Sequence, residues 1–453
     1  MKRIPEPVKA VLSRLMDAGH EAWCVGGCVR DLLLRREPGD WDVTTSALPE
    51  EMLALFGEHA VPTGLKHGTV TIRTDIGHVE VTTYRTDGSY RDCRHPDSVQ
   101  FTRSLEEDLA RRDFTVNAIA MDIFGQVNDP MNGMADLSAR RLRCVGEPDR
   151  RFGEDALRIL RGLRFASVLE FSVESETAAG IHRNRELLRV IAAERIRIEL
   201  DKLLCGAGAA AVLREYSDVL GVFLPEILPA VGFPQNSRYH CYNVWEHTVC
   251  SVAAAPREPI LRMAMLLHDL GKPSCYSVDD AGCGHFYGHA KVSCEQAAMI
   301  LDRLKYDNES RRIILTLVER HDWPVHPTEK GIRRALCALG EKELRGLLAV
   351  KRADNLAQSP DYRYRQKEID ALEALVDEEL ARDACFSLKQ LAVNGRDVAA
   401  LGFQGKEIGG ELDRLLFAVM DGVLQNDRCQ LLESAQKQWN GQKDQKATEK
   451  KEK

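Results

Sequence analysis

The sequence contains no apolar run long enough to span a bilayer. Its first residues lack the apolar core of a signal peptide. Instead Val8, Val11, Leu12 and Leu15 recur at the spacing of a folded amphipathic helix. Both absences point to the cytoplasm. The 13 cysteines include no CxxC pair, and the closest approach in sequence is Cys24 with Cys28. Scattered and odd in number, they exclude a disulfide framework or a zinc ribbon and read as reduced, mostly buried thiols. A basic excess is missing too: 62 Lys and Arg stand against 69 Asp and Glu, a net charge of -7. Any surface for nucleic acid is therefore local. One candidate is the stretch carrying Arg140, Arg141, Arg143, Arg150, Arg151, Arg158, Arg161 and Arg164, although a solvated helical face has the same composition. No internal repeat is visible.

What is present is ordinary globular composition, 44% hydrophobic and 29% charged, in a chain of 453 residues that needs several cores. The first third reads as mixed α/β. Strands are expected at Glu21 to Val25, Asp40 to Thr45 and Ala118 to Ile123. A hairpin turning at Asp75-Ile76-Gly77 joins Thr69 to Arg73 with His78 to Tyr84. A helix is expected over Val29 to Arg36, and the pattern turns helical from about Gly153 onward. Boundaries are expected after Arg143-Cys144-Val145-Gly146 and in the proline-rich stretch Pro225 to Pro234. From about Gly441 the Lys- and Gln-rich end has no apolar periodicity and reads as disordered.

Gly26-Gly27, in GGCVRD, ends a strand and opens a helix. Paired glycines let backbone amides approach a phosphate, although a plain tight turn looks the same. Asp40 and Asp42 flank Trp41 in a strand, so their side chains share a face. Two such carboxylates repel unless a cation lies between them. Mg²⁺ takes one or two carboxylates plus substrate phosphates, and a metal pair suits attack by a 3′-hydroxyl with departure of pyrophosphate.

GGxVRD followed by DxD resembles the signature of the DNA polymerase β-like nucleotidyltransferases, in the branch of class II CCA-adding enzymes and bacterial poly(A) polymerases. The resemblance continues through HVEVTTYR (His78 to Arg85), YRDCRHPDSVQF (Tyr90 to Phe101) and SLEEDLARRDFTVNAIA (Ser104 to Ala120). It implies an α+β fold: a nucleotidyltransferase head of mixed sheet and helices over 1–145, then all-α parts. These are a neck that binds RNA and nucleobase (146–235), an HD domain (236–360), a tRNA-binding tail (361–440) and a disordered end (441–453). It implies Mg²⁺ on Asp40 and Asp42, and CTP, ATP and tRNA as partners. Glu80 is a candidate third acid, with a buried structural glutamate as the alternative. Gly26, Gly27 and Arg30 match the triphosphate-side turn. Arg111, Arg112, Asp113 and Asn117 match the RRDxxxN motif at the ribose of the incoming nucleotide. Arg161 and Arg164 join the expected nucleotide-binding set. The loop holding Tyr90, Asp92, Arg94, His95 and Pro96 resembles one that enzymes adding only cytidines largely lack, so it favours adenosine addition.

EDALR, Glu154 to Arg158, matches the family's EDxxR motif. On one helix, Asp155 and Arg158 three residues apart share a face. Cytosine and adenine each present an amino donor beside a ring-nitrogen acceptor, which an aspartate and an arginine match; uracil and guanine reverse that order. The mismatch costs on the order of 1–3 kcal/mol per buried group. One protein-side pair therefore accepts CTP and ATP and rejects UTP and GTP; the competing reading is a surface ion pair. AERIRIELDKLL (Ala193 to Leu204), headed by Glu194 and Arg195, matches a further family helix with an orienting role.

His247 in NVWEHT, His268-Asp269 in LLHDLGK and Asp354 in KRADNLAQ follow the order of HD phosphohydrolases. Imidazole with carboxylate suits Mn²⁺, Ni²⁺, Co²⁺, Zn²⁺ or Mg²⁺. Lys272 is placed to hold a phosphate oxygen, and His289 and His321 are candidate ligands of a second ion. The implied chemistry is hydrolysis of phosphomonoesters or 2′,3′-cyclic phosphates, although the region departs in detail from the HD region of proteobacterial CCA enzymes. VNGRDVAALGFQGKEIG (Val393 to Gly409) resembles the family's tail, with Arg396 and Lys406 as candidate phosphate contacts. Three other readings remain: poly(A) or A-only addition on the same scaffold, a phosphohydrolase whose transferase half is vestigial, and a nonenzymatic RNA-binding or scaffold protein.

Overall fold

A computed structural model of the protein describes residues 3–88, 99–382 and 384–449. The expected loop residues Tyr90, Asp92, Arg94, His95 and Pro96 lie outside the described residues. The chain forms two compact units. The first comprises Met1–Phe233 with Arg257–Met263 and Ala298–Asp307; the second comprises Pro234–Pro256, Ala264–Ala297 and Asn308–Lys453.

The first unit opens with the helix Glu6–Asp17, which buries Val8, Val11, Leu12 and Leu15 as their spacing predicts. The strands follow as β1 (Ala22–Val25), β2 (Trp41–Thr45), β3 (Ala60–Gly64), β4 (Thr69–Thr74), β5 (Gly77–Thr83), β6 (Arg85–Asp87), β7 (Val99–Phe101), β8 (Ala120–Met121) and β9 (Val127–Asn128). Seven of them form one sheet in the order β3-β4-β5-β2-β1-β8-β9, and β6 pairs separately with β7. β4 and β5 form the expected hairpin. β2 runs parallel to β5, with Asp42 opposite Glu80. β5 alternates strictly: Val79, Val81 and Thr83 are buried, and Glu80 faces outward. The register therefore fixes which carboxylates share the open face.

The helix after β1 spans Gly27–Leu33, beginning and ending earlier than expected. Gly26 turns the chain at φ +80°, and Arg35 adopts φ +59°, which stops the helix before Arg36. From residue 148 the first unit is helical, through Pro148–Glu154, Leu157–Leu169, Ser175–Asn184 and Ala193–Leu204. A short parallel strand pair, Arg141–Leu142 with Ser172–Val173, interrupts it. The second unit is built from helices, among them Val244–Ala254, Asn308–Arg320 and Glu341–Leu356, with one small hairpin. No helix among the described residues is long and apolar enough to cross a membrane.

The expected disordered end is corrected by the structure: the last helix runs from Arg428 to Glu449. Gln, Lys, Glu and Ala are all good helix formers, so a segment without an apolar stripe still keeps helical backbone.

The polar interior of the first unit gives one stability test. Asp136 is fully buried and accepts from Thr115 Oγ1 (2.7 Å), Arg141 Nε (2.8 Å) and Arg143 Nε (2.8 Å). Burial pushes its carboxyl up, but the bonds from Thr115, Arg141 and Arg143 outweigh it and hold the group below the usual carboxylate range. A depressed folded pKa stabilises above the unfolded value of about 4 and loses that contribution as pH falls below it. Asp136→Asn is expected to cost about 2 kcal/mol at pH 7. The gap from wild type should shrink as urea unfolding is repeated below pH 4; a gap independent of pH would contradict this account.

Candidate active site and histidine–aspartate centre

Asp42 projects from the open face of β2 beside Glu80, and Asp40 immediately precedes the strand. Burial, then Asp40, then Glu80 push the Asp42 carboxyl up to about 6, against the pull of the Arg112 guanidinium. Three acids crowded beside one another on a half-buried face fit a divalent cation, which would relieve that repulsion. Glu80 is exposed, which excludes the alternative of a buried structural glutamate.

Gly26 closes the opposite side. A Cβ built there would lie 3.3 Å from Arg112 Nη1 and 3.6 Å from Asp42 Oδ2, on backbone at φ +80°. The conformation calls for glycine, and a Cβ there would press on the end of the Arg112 guanidinium. Arg112 and Arg111 are both held by Asp108, which is fully buried and bonds Arg111 Nε (2.9 Å), Arg112 Nη2 (3.1 Å) and Thr44 Oγ1 (3.1 Å). Sequence reasoning missed Asp108. An acid three and four residues before arginines reads as a surface pair, and only the fold buries it.

Asp113 and Asn117 come together as expected: Asn117 Nδ2 donates to Asp113 Oδ1 at 3.1 Å. Arg161 donates to Asp113 Oδ2 at 2.9 Å, and Arg30 donates to Asn117 Oδ1 at 2.8 Å. Arg30 is thereby bound to Asn117 rather than left free at the glycine turn. The guanidinium carbons of Arg30, Arg161 and Arg164 lie 5.1, 5.4 and 4.1 Å from the ring centre of Phe165. Arg164 pairs with the buried Glu199 at 2.7 Å.

Asp155 and Arg158 depart from the expected geometry. The helix ends at Glu154, Asp155 is extended (φ -139°, ψ 104°), and a new helix starts at Leu157. They therefore do not share one helix face. Asp155 accepts from the Leu157 amide at 3.1 Å and from Arg195 Nη2 at 3.4 Å. Arg158 is buried, and donates to Glu154 Oε2 (2.7 Å), the Arg151 carbonyl (3.1 Å) and the Arg111 carbonyl (3.2 Å). The surface ion pair is excluded by that burial. Glu154, the first residue of the motif, and Arg195, at the head of a helix expected to orient the site, are the braces.

In the second unit, four imidazoles converge. Each has Nδ1 on a backbone carbonyl: His247 on Ala357 (3.3 Å), His268 on Met265 (2.6 Å), His289 on Phe286 (2.8 Å) and His321 on Val318 (2.7 Å). An Nδ1–H donated in this way leaves Nε2 as the inward lone pair, the arrangement of metal-ligating histidines. His247, His268 and Asp354 form one ligand group; Asp269, His289 and His321 form another. Asp269 lies between them, with Oδ2 3.1 Å from His268 Nε2 and Oδ1 3.4 Å from His289 Nε2. It is 1% exposed; Oδ2 is ion-paired with Lys272 Nζ at 2.7 Å, and both oxygens face imidazole Nε2 atoms of the two groups. A buried carboxylate so placed fits a bridging ligand between cations. Burial opposes charge on Asp269, but His268 and Lys272 hold its carboxyl well below the usual range. Lys272 is also anchored by Gln235 Oε1 at 2.9 Å. In the tail segment Arg396 and Lys406 are both exposed.

Because Gly26 stands between Asp42 and Arg112, Gly26→Ala is expected to weaken binding of a labelled nucleoside triphosphate by at least about 10-fold, the equivalent of about 1.4 kcal/mol. The melting temperature should fall as well, because alanine at φ +80° costs about 1–3 kcal/mol, so affinity is compared well below the transition. Unchanged affinity would contradict the assignment of this turn.

Residues 22–143 match the model of the poly A polymerase head domain, residues 170–230 that of the probable RNA and SrmB-binding site of polymerase A, and residues 238–359 that of the HD domain. The CCA-adding enzyme of Limosilactobacillus reuteri is 48% identical over 219 residues, 48% of this chain and 54% of that protein. The CCA-adding enzyme of Geobacillus stearothermophilus is 44% identical over 262 residues, 58% of this chain and 62% of that protein. The matched region thus spans about half to three-fifths of these curated relatives. Over its whole length the fold is similar to the crystal structure of the Bacillus stearothermophilus CCA-adding enzyme in complex with CTP. That match has a TM-score of 0.77 and 30% identity, and covers 98% of this chain and 100% of that one. With that coverage and identity, the chain belongs to the family of CCA-adding enzymes.

Proposed function

We propose that this protein adds CCA to the 3′ end of tRNA from CTP and ATP. The observation that carries the proposal is the open face of β2: Asp42 in register with Glu80, beside Asp40, with the glycine turn at Gly26 next to Asp42 and Arg112. Asp40 and Asp42 would hold Mg²⁺, which supplies activation of the 3′-hydroxyl and neutralisation of pyrophosphate when bound. The Gly26 and Gly27 amides receive phosphate oxygens. Asp113 and Asn117, fixed by Arg161 and Arg30, orient the ribose. Asp155 accepts from the exocyclic amino group of cytosine or adenine, and Arg158 donates to the ring nitrogen by exchanging one of its bonds to Glu154 or the backbone carbonyls for the base. The division into a catalytic head over 1–145, a neck over 146–235, an HD domain over 236–360 and a tRNA-binding tail over 361–440 belongs to the same reading, with Arg396 and Lys406 as phosphate contacts.

The test uses tRNA ending at the discriminator base, Mg²⁺, and CTP, ATP or both, with 3′ ends sequenced. Two cytidines with CTP alone and a clean stop at CCA with both are expected. Asp40→Ala with Asp42→Ala should abolish addition and leave tRNA binding intact. Long oligo(A), or A added only to tRNA already ending in CC, would replace the proposal with the poly(A) or A-adding alternative.

A second reading is favoured by the two ligand groups that meet at the buried carboxylate of Asp269. His247, His268, Asp269 and Asp354 would hold one cation, and Asp269, His289 and His321 a second. Ni²⁺, Co²⁺, Mn²⁺ and Zn²⁺ all suit the donors, and Lys272 is poised for a phosphate oxygen. Bound cations lower the pKa of water and so supply a nucleophile for phosphoester hydrolysis. Phosphatase activity toward RNA ends carrying 2′,3′-cyclic phosphate should appear on metal loading and vanish in His268→Ala with Asp269→Ala, while nucleotide addition persists. Loss of addition in that variant would contradict the independence of the two sites.

A further inference from the structure

The short hairpin Ser277–Val278 with Gly284–His285 carries a third set of potential ligands that neither proposed activity uses. Asp279 and Cys283 face one another across its turn, where the Asp279 amide donates to the Cys283 carbonyl at 3.0 Å and Gly282 takes φ +78°. Cys283 and His285 are two apart on the returning strand and so point to the same side. One ligand atom of each residue lies within 4.8 Å of the others.

The hydrogen bonds sort the donors. Asp279 Oδ1 is taken by the amides of Ala281 (3.0 Å) and Cys283 (2.8 Å), which fixes the carboxylate and leaves Oδ2 toward His285 Nε2 at 2.9 Å. The other imidazole nitrogen, Nδ1, faces Tyr287 Oη at 3.4 Å, and the Tyr287 and His285 rings stack with centroids 5.3 Å apart. A remote nitrogen held by a hydroxyl, with Nε2 turned inward, repeats the logic of the inner histidines. An Asp–His pair alone accounts for two of the three groups. It leaves unexplained a thiol on the same face, whose weak contact is a 3.9 Å approach to the Gly284 carbonyl.

We propose that Asp279, Cys283 and His285 bind a divalent cation of the Zn²⁺ class, with water completing a tetrahedron. Ligand atoms at usual Zn²⁺ distances are separated by about 3.4–3.8 Å, so the hairpin reaches coordination with small side-chain movements. Cys283 and His285 line the same cavity of about 360 Å³ as Asp269, Lys272 and His289. A cation at this place adds positive potential at the wall of the histidine–aspartate cavity, where an anionic phosphoester would enter. The site does not depend on whether the inner cluster hydrolyses anything.

Cobalt substitution tests it on the full chain. The metal-stripped protein is titrated with Co²⁺, and the near-ultraviolet thiolate-to-cobalt absorption is recorded. The inner cluster offers only nitrogen and oxygen, so this band reports a cysteine ligand. The wild type and the His268→Ala with Asp269→Ala variant should both show the band, and Cys283→Ser should lose it together with one equivalent of Zn²⁺. His285→Ala, which keeps the thiol, should weaken Zn²⁺ binding at this site by at least about 10-fold. A wild type without the band, a band that survives Cys283→Ser, or a band abolished by the inner-cluster variant would each overturn the proposal.

Discussion

Asp113 is buried, ionised, and flanked by groups that belong to different parts of the chain. Burial opposes its charge, but Arg161, Asn117 and Arg158 hold the carboxyl down at about 2. Its backbone carbonyl accepts from the Val145 amide at 3.1 Å, so the same residue ties the end of the sheet region to the helix Leu157–Leu169 that carries Arg161. Around it the pattern repeats: Asp108 with Arg111 and Arg112, Glu154 with Arg151 and Arg158, Glu199 with Arg164. Removing one partner of a buried pair costs about 3–5 kcal/mol, because the other charge is stranded. A nucleotide site built on such pairs is rigid before the nucleotide arrives, and little ordering remains to be done on binding.

That lattice also explains what could be read from the sequence. The glycine turn, the DxD pair and the strand carrying Glu80 were legible, because each follows a local period or a short motif and the sheet register does the rest. The braces were not. Glu154, Asp108 and Glu199 look like surface charges until the fold buries them, and nothing local distinguishes a buried Glu–Arg pair at i,i+4 from a solvated one. EDALR has helical propensity throughout and reads as one helix, whereas the chain is extended at Asp155, whose carboxylate meets Arg195.

The histidine–aspartate centre shows the same division. His247, His268, Asp269 and Asp354 stood out by their order along the chain. Their convergence depends on helices 107 residues apart, and His247 Nε2 meets Asp354 Oδ1 at 2.8 Å. The four carbonyls that turn every Nε2 inward were invisible, since a backbone oxygen leaves no mark in the sequence. Nor did the sequence mark Gln235, which holds Lys272 where an anion would meet it.

In the proposed function, the Asp155 carboxylate, held by Arg195 and by the Leu157 amide, accepts from the amino group shared by cytosine and adenine. The direct measurement is kcat/KM for each of the four nucleoside triphosphates with wild type and Asp155→Asn. The amide preserves size and the bond from the Leu157 amide, but it adds a donor that suits the carbonyl of uracil or guanine. The account predicts that discrimination against UTP relative to CTP falls by at least about 10-fold, the equivalent of about 1.4 kcal/mol, with tRNA affinity unchanged. A loss of equal size for all four nucleotides would contradict it, and would make Asp155 a helix cap and nothing more.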